Sequence, residues 1–342
     1  NADGELVDML GAGESGTVVL DKTPFYAQSG GQVGDSGVIK NGEDNAFIVA
    51  DTAKNADRVY LHKGEGSRGI ISVGDSVFAS INAARRKSIM RNHTAAHLLQ
   101  AALRQVLGTH VEQAGQLVNV TEVRFDFTHF NPMTTQEIAK VEMLVNKFIL
   151  SASSVTMQEM PIEEAKKMGA MMLFGEKYGD IVRVVKAGDF STEFCGGTHV
   201  ANSGEIGLFK IVSEASVAAG VRRITAYTGL ASLAYLNLNE MAVKTVASIL
   251  KTSENEVVER TQAVISDNKE MEKEIQALNA EITKLKSADM FSKPTLVDGL
   301  ELYIAKIEGT TPDALRSMGD DLKNKGDNVV ALIAGVNGDK AN

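Results

Sequence analysis

Four side chains with metal-ligating chemistry occur as two motifs far apart in the chain, and any fold has to place both. His93 and His97 stand four apart in RNHTAAHLLQAAL, and Cys195 and His199 stand four apart in CGGTH. Apolar residues at Ala96, Leu99, Ala102, Leu103 and Val106, with no Gly or Pro among them, predict a helix that starts at the first motif. Histidines four apart on a helix share one face. In the second motif Gly196 and Gly197 make a turn the expectation rather than a regular helix. One Cys and three His form a borderline-soft set suited to Zn²⁺ in tetrahedral geometry. The alternatives are a polar helix face for the His pair, or a pocket that uses these groups for hydrogen bonding without metal.

The stretches around these motifs divide by pattern. At 342 residues and 44% hydrophobic the chain is long enough for a sizeable core and two or three domains. Residues 1–87 carry short β-branched runs such as GTVVLDKT, GVIK, AFIVADTA and RVYLHK, broken by turn signals at Asn41-Gly42 and Gly74-Asp75. A small β-barrel is the expected closure of so many short strands. Residues 88–230 mix helix and strand periods: Val123, Phe125 and Phe127 alternate with Arg124 and Asp126, while Ile138, Val141, Leu144, Val145 and Phe148 form a helical stripe. Helices on a mainly antiparallel sheet are expected there, so the overall class is α+β.

Residues 231–292 are helical. Val257, Thr261, Val264, Asn268, Met271, Ile275, Leu278, Ile282 and Leu285 follow a heptad seam, with Ser253 and Glu256 as a capping box at its start. Such a seam serves equally in a homodimer or in a hairpin with Leu236, Val243, Val246 and Leu250 of the preceding helix. Residues 293–342 read strand, helix, strand, with Pro312 opening the helix, which predicts a partial α/β unit.

The formal charge of −9 argues against nucleic-acid binding by net charge, so any RNA contact needs a local basic surface. Arg85, Arg86, Lys87 and Arg91 form the densest basic run and Arg222-Arg223 the next, with a solvated face or salt bridges as the alternative for each. A single cysteine, no signal peptide and no apolar run able to span a bilayer point to a reducing cytoplasm and no membrane partner. Asn1-Ala2 reads as the remnant of a cloning tag, and a chain without an initiating Met is expected to be a piece of something longer.

In order along the chain, RNHTAAHLL, GTHVEQAGQLV, RFDFTHF, LFGEKYGD, DFSTEFCGGTHV, IGLFKIVSE and AAGVRRITAYTG resemble the editing domain of bacterial alanyl-tRNA synthetases. DKTPFYAQSGGQVGDSG is similar to the β-rich module that precedes it in that family, and the helical stretch to the start of the C-terminal domain. The segment after HVEQ reads AGQLV where the family more often has a Lys-Gly-Ser type run. The resemblance implies four parts: a β module, an editing domain that hydrolyses aminoacyl-tRNA esters, a coiled-coil segment and an incomplete C-terminal domain. It implies Zn²⁺ at His93, His97, Cys195 and His199, a loop containing Gly30, Gly31 and Gln32 over the pocket, and Gln113 and Thr23 at the substrate. Without the resemblance, Gly30 and Gly31 read as an ordinary glycine-rich hairpin, Gln113 as a loop amide and Thr23 as the cap of the Thr23-Pro24 turn.

The implied reaction is hydrolytic removal of serine or glycine from the 3′ end of alanine tRNA, within a ligase whose N-terminal aminoacylation domain would be the other partner. A synthetic pocket for alanine rejects an added hydroxyl only about 10²-fold, which is the reason for a second, hydrolytic site. The competing readings are a tRNA-binding and dimerisation fragment without hydrolytic activity of its own, or a free-standing trans-editing deacylase. A metallopeptidase is disfavoured, because Thr94 follows the first His where Glu would be required. Four protein ligands would close the metal site, so one of them is expected to yield to water or substrate.

Overall fold

The computed structural model describes residues 1–172, 178–290, 292–308, 310, 312–337 and 340–341. Its contacts divide into two compact units, Asn1–Asn239 and Glu240–Asn342. The expected boundaries at 87/88, 230/231 and 292/293 do not coincide with this division, which falls inside the expected 231–292 segment.

In the first unit, Ser15–Val18 (β1), Gly37–Asn41 (β2), Asn45–Lys54 (β3), Tyr60–Arg68 (β4) and Phe78–Ile81 (β5) form an antiparallel sheet in the order β1-β4-β3-β2-β5. Ile39, Phe47 and Val49 point to one face and pack with Leu10, Phe25 and Ile71. The expected barrel does not close. The edge strands β1 and β5 are only 4 residues long and do not pair with each other, and Met9–Gly11 pairs with Ile70–Ser72 as a separate ribbon instead. Closure needs a continuous ladder across the seam, and strands this short leave none to form.

The chain then enters the long helix Ala83–Leu107 (α1). Asn82 is its N-cap, accepting the Arg85 backbone N–H at 3.0 Å. The first His motif therefore lies in mid-helix and does not start it. Gln113–Val118 (β6), Val123–Thr128 (β7) and the helix Thr135–Leu150 (α2) follow. Thr134 and Glu137 close a full capping box at the start of α2. Val155–Pro161 (β8), the short helix Ile162–Lys167 (α3), Ile181–Ala187 (β9) and Ser191–Phe194 (β10) come next, and β8, β9 and β10 form a three-stranded antiparallel sheet. Residues 173–177 of the LFGEKYGD block lie outside the described residues.

Phe209–Ala218 (β11) and Val221–Thr228 (β12) complete a four-stranded antiparallel sheet, ordered β11-β12-β7-β6. The alternation read in β7 is observed: Val123, Phe125 and Phe127 are buried, and they join Leu98, Leu99 and Leu103 of α1 and Val141 and Val145 of α2 in one core. Each fully buried Leu of α1 contributes about 1.5–3 kcal/mol. This burial fixes which face of α1 is inward, and hence where its histidines lie.

Helix Gly229–Leu250 (α4) leads into the second unit, which holds the 34-residue helix Val257–Met290 (α5) predicted from the heptads. Glu254–Glu256 forms a 3₁₀ turn before it, and the Ser253 hydroxyl donates to Glu256 at 2.9 Å without capping a backbone N–H, so only part of the capping box exists. Met271, Ile275, Leu278 and Ile282 are exposed, so the hairpin alternative is not formed. The last element pattern is as read: Leu300–Glu308 (β13) and Val329–Asn337 (β14) are parallel strands joined by the helix Pro312–Lys323 (α6). Among the described residues no helix is long and apolar enough to cross a membrane.

Candidate metal centre

Helix α1 supplies two ligands because His93 and His97, one turn apart, fall on its buried side at 1% and 5% exposure. Strand β10 ends at Phe194 and delivers Cys195 directly beneath them. From Cys195 the chain runs without regular structure, as Gly196-Gly197 implied. That turn is held by Arg183, whose Nη1 donates to the carbonyls of Cys195 at 3.0 Å and Gly197 at 2.5 Å. A Cβ on Gly197 would collide with the His93 ring, so only glycine allows this approach.

The ligand atoms of His93, His97, Cys195 and His199 all lie within 4.8 Å of one another. Cys195 Sγ is 3.4 Å from His93 Nε2 and 3.3 Å from His199 Nε2. Tetrahedral Zn²⁺ with ordinary Zn–S and Zn–N bonds would place sulfur and nitrogen about 3.6 Å apart. The donor set and its spacing therefore fit a tetrahedral ion, and the sequence expectation that four ligands converge is met geometrically.

Each ring also has a neighbour at its outer nitrogen. His93 Nδ1 is 2.7 Å from Gln32 Oε1, His199 Nδ1 is 3.2 Å from Thr94 Oγ1, and His97 Nδ1 is 3.2 Å from Glu193 Oε2. Burial lowers all three imidazoles, His97 to about 4. Neutral rings are what a metal requires. Burial also raises Glu193 to about 8, against the opposing hydrogen bond from Ser191.

Beside this cluster opens a cavity of about 320 Å³. His93, His97, Cys195, Gln113, Gly30 and Arg183 are among the residues that line it. Gln113, at the start of β6, and the Gly30 loop thus reach the same space as His93, His97 and Cys195. The loop is tied to β6: Val118 N–H donates to Gly31 O at 2.8 Å, and Gln116 Nε2 donates to Gly30 O at 2.7 Å. Gly31 has φ +81°, and a Cβ there would meet the Gln116 carbonyl, which explains the glycine. Tyr26 also lines the cavity, its phenol raised to about 12 by burial and then by Cys195.

Thr23 is not among the lining residues. Its hydroxyl lies 2.7 Å from His62 Nε2 and accepts the Phe25 N–H at 3.1 Å. Most of the basic candidates make intramolecular contacts. Arg85 donates to Gly34 O at 2.6 Å, Arg86 pairs with the buried Asp35, and Arg91 donates to Glu205 O at 2.9 Å. Arg222 pairs with Glu214 and Arg223 with Asp126, leaving Lys87 as the exposed cation of the first run.

Arg183, Glu193 and the place of Thr94 beside His199 went unread in the sequence. A charged residue within the apolar run of β9, and an acid in STEF two residues before the cysteine, were the available signals.

Residues 182–225 match the family described as "Threonyl and Alanyl tRNA synthetase second additional domain", and residues 1–85 match "tRNA synthetases class II (A)". An alanine–tRNA ligase of Acetivibrio thermocellus is 47% identical over 335 residues, 98% of this chain and 38% of that protein. One of Alkaliphilus oremlandii is 45% identical over 337 residues, again 98% of this chain and 38% of that protein. The chain thus spans well under half the length of these relatives. With family matches at residues 1–85 and 182–225 and relatives aligned over 98% of its length, the chain belongs to the alanyl-tRNA synthetase family.

Proposed function

We propose that the first unit is a hydrolytic editing site that removes serine or glycine from the 3′ end of alanine tRNA. The observation that carries this reading is the shared cavity, where His93, His97 and Cys195 of the four-residue cluster meet Gln113 and the Gly30 loop. An aminoacyl ester is already labile, so positioning and electrostatics suffice to accelerate its cleavage.

A Zn²⁺ held by His93, His97, Cys195 and His199 would supply polarisation of a water, or binding of the substrate's amine and hydroxyl. The remaining roles belong to side chains of this chain. Gln113 is neutral and cannot act as a base; its amide is suited to hydrogen-bond the ester or the terminal ribose. Arg183 brings a fixed positive charge to the cavity while holding the Cys195–Gly197 backbone, so it favours negative charge developing on an ester oxygen. The Gly30 loop covers one side of the space and limits water. Thr23 is proposed to recognise the serine hydroxyl, through the lone pair that His62 and Phe25 leave available.

Partners in this reading are the tRNA 3′ end, contacted through Lys87 and its neighbours, and the aminoacylation domain of a longer polypeptide. The exposed apolar seam of α5 is proposed to pair with a second copy.

The test is hydrolysis of Ser-tRNA, Gly-tRNA and Ala-tRNA by this chain, with and without a chelator. Loss of the serine and glycine esters, with alanine spared and chelator inhibitory, is expected. Tight tRNA binding without hydrolysis would replace this reading with that of a binding fragment.

A further inference from the structure

Gln32 is fully buried, yet it belongs to the β module and reaches out of it to touch the ligand cluster. Its carboxamide makes three hydrogen bonds there. Oε1 accepts the Thr198 backbone N–H at 2.9 Å, Nε2 donates to Thr198 Oγ1 at 2.9 Å, and His93 Nδ1 lies 2.7 Å from the same Oε1.

These contacts fix the orientation of the Gln32 carboxamide. A backbone N–H can only donate, so the atom facing Thr198 N must be the amide oxygen. His93 Nδ1 faces that same oxygen, and two acceptors cannot stand 2.7 Å apart without a proton between them. The proton of neutral His93 therefore sits on Nδ1. Its Nε2 is left with the lone pair, directed toward Cys195 Sγ at 3.4 Å.

A parallel logic holds for His199. Thr94 Oγ1 donates to Met90 O at 2.9 Å and accepts the Val200 N–H, so it faces His199 Nδ1 as an acceptor. Thr94, however, lies on α1 itself, one residue from His93. Gln32 lies 61 positions before His93, on a loop whose place is set by its bonds to Gln116 and Val118.

We infer that Gln32 is a positioning residue that fixes the ligating tautomer of His93 and clamps the Cys195–His199 turn, making the metal centre a joint product of the β module and helix α1. Capture of the ion then depends on the 29–32 loop being seated. The same dependence explains why Gly197 lacks a side chain, since a Cβ would meet both the His93 ring and Gln32 Oε1.

This inference rests on the metal-holding reading of the cluster and not on tRNA hydrolysis. The experiment measures Zn²⁺ affinity by competition with a chromophoric chelator, and Co²⁺ absorption, for the unaltered chain, Gln32→Met and Gln32→Glu. Met keeps the volume and removes all three hydrogen bonds, whereas Glu keeps the acceptor for His93 and Thr198. Gln32→Met is expected to weaken Zn²⁺ about 10–100-fold and to shift the Co²⁺ bands, as loss of an outer hydrogen-bond partner does at other metal sites, with Gln32→Glu close to the unaltered chain. Unchanged affinity and bands in a folded Gln32→Met would overturn the role of Gln32. Absence of Zn²⁺ and Co²⁺ binding in the unaltered chain would instead overturn the metal reading. Should Gln32→Met fail to fold, imidazole ¹⁵N shifts of the metal-free unaltered chain decide the matter: an Nδ1–H tautomer at His93 supports the inference and an Nε2–H tautomer ends it.

Discussion

His97 Nδ1 lies 3.2 Å from Glu193 Oε2, both side chains being almost wholly shielded from water, yet the contact is off the hydrogen-bonding direction and Nδ1 has no aligned partner. Burial holds the imidazole down to about 4 and the carboxyl up to about 8. At neutral pH the metal-free pair is therefore two neutral groups and not an ion pair. Burial disfavours the charged form of each partner and outweighs the attraction that their proximity would offer.

Stability of the chelator-treated protein should fall on acidification. His93, His97 and His199 have folded pKa values below the unfolded value, so below pH 6.5 the unfolded chain takes up protons that the native one refuses. Glu193 acts in the opposite sense, because between pH 4.5 and 8 only the folded form is protonated. The histidines outnumber it, and each uncompensated proton contributes about 1.4 kcal/mol per pH unit. Melting temperatures measured from pH 8 down to 4.5 are expected to decline steeply below 6.5. A flat or rising profile would show that these rings are not buried as neutral groups.

Thr23→Val removes the hydroxyl beside His62 and the acceptor for Phe25 N–H. It is expected to cost about 1–3 kcal/mol of stability, because His62 Nε2 is left unpaired at a buried residue. Under the proposed recognition role, serine cleavage also falls relative to glycine cleavage. Rates on the two esters separate the contributions: an unchanged ratio in a folded variant assigns Thr23 to the turn alone.

Arg86 and Lys87, adjacent on α1, should behave differently. Arg86→Ala leaves Asp35, 1% exposed, without its counter-charge, for a loss of about 3–5 kcal/mol in denaturant titrations. Lys87→Glu should leave stability within about 0.5 kcal/mol while weakening tRNA binding and lowering its salt slope by about one. A salt slope that does not move with Lys87 removes this helix from the RNA contact.

The apolar seam of α5 makes self-association measurable. Ile275 and Leu278 are 57% and 50% exposed, and pairing with a second helix would cover them. Sedimentation coefficients are expected to rise with protein concentration, and Ile275→Glu should abolish the rise. Concentration-independent monomer in the unaltered chain would rule out the seam as a dimer contact.

Local patterns were legible wherever one window of sequence held the whole cause. The alternation in β7, the helix over the α5 heptads and the β13-α6-β14 succession all appear as read, because period reports directly on one element. The donor set was legible for the same reason, each ligand pair being local. The start of α1 was not: its first turns carry Arg85, Arg86 and Lys87 and lack an apolar stripe, so the Asn82 cap went unseen. Nor could the sequence foresee an open sheet in place of a barrel, since closure depends on whether two short edge strands meet.

Sequence by itself determined which residues could ligate a metal and which segments would be helix or strand, since chemistry and periodicity are carried residue by residue. Only the tertiary structure decided that CGGTH meets the buried face of α1, that Gln32 completes it from another module, and that Glu193 and Arg183 stand behind it. Those partners are chosen by the burial of apolar surface and the satisfaction of polar groups over long separations in the chain, and no local pattern records such a choice.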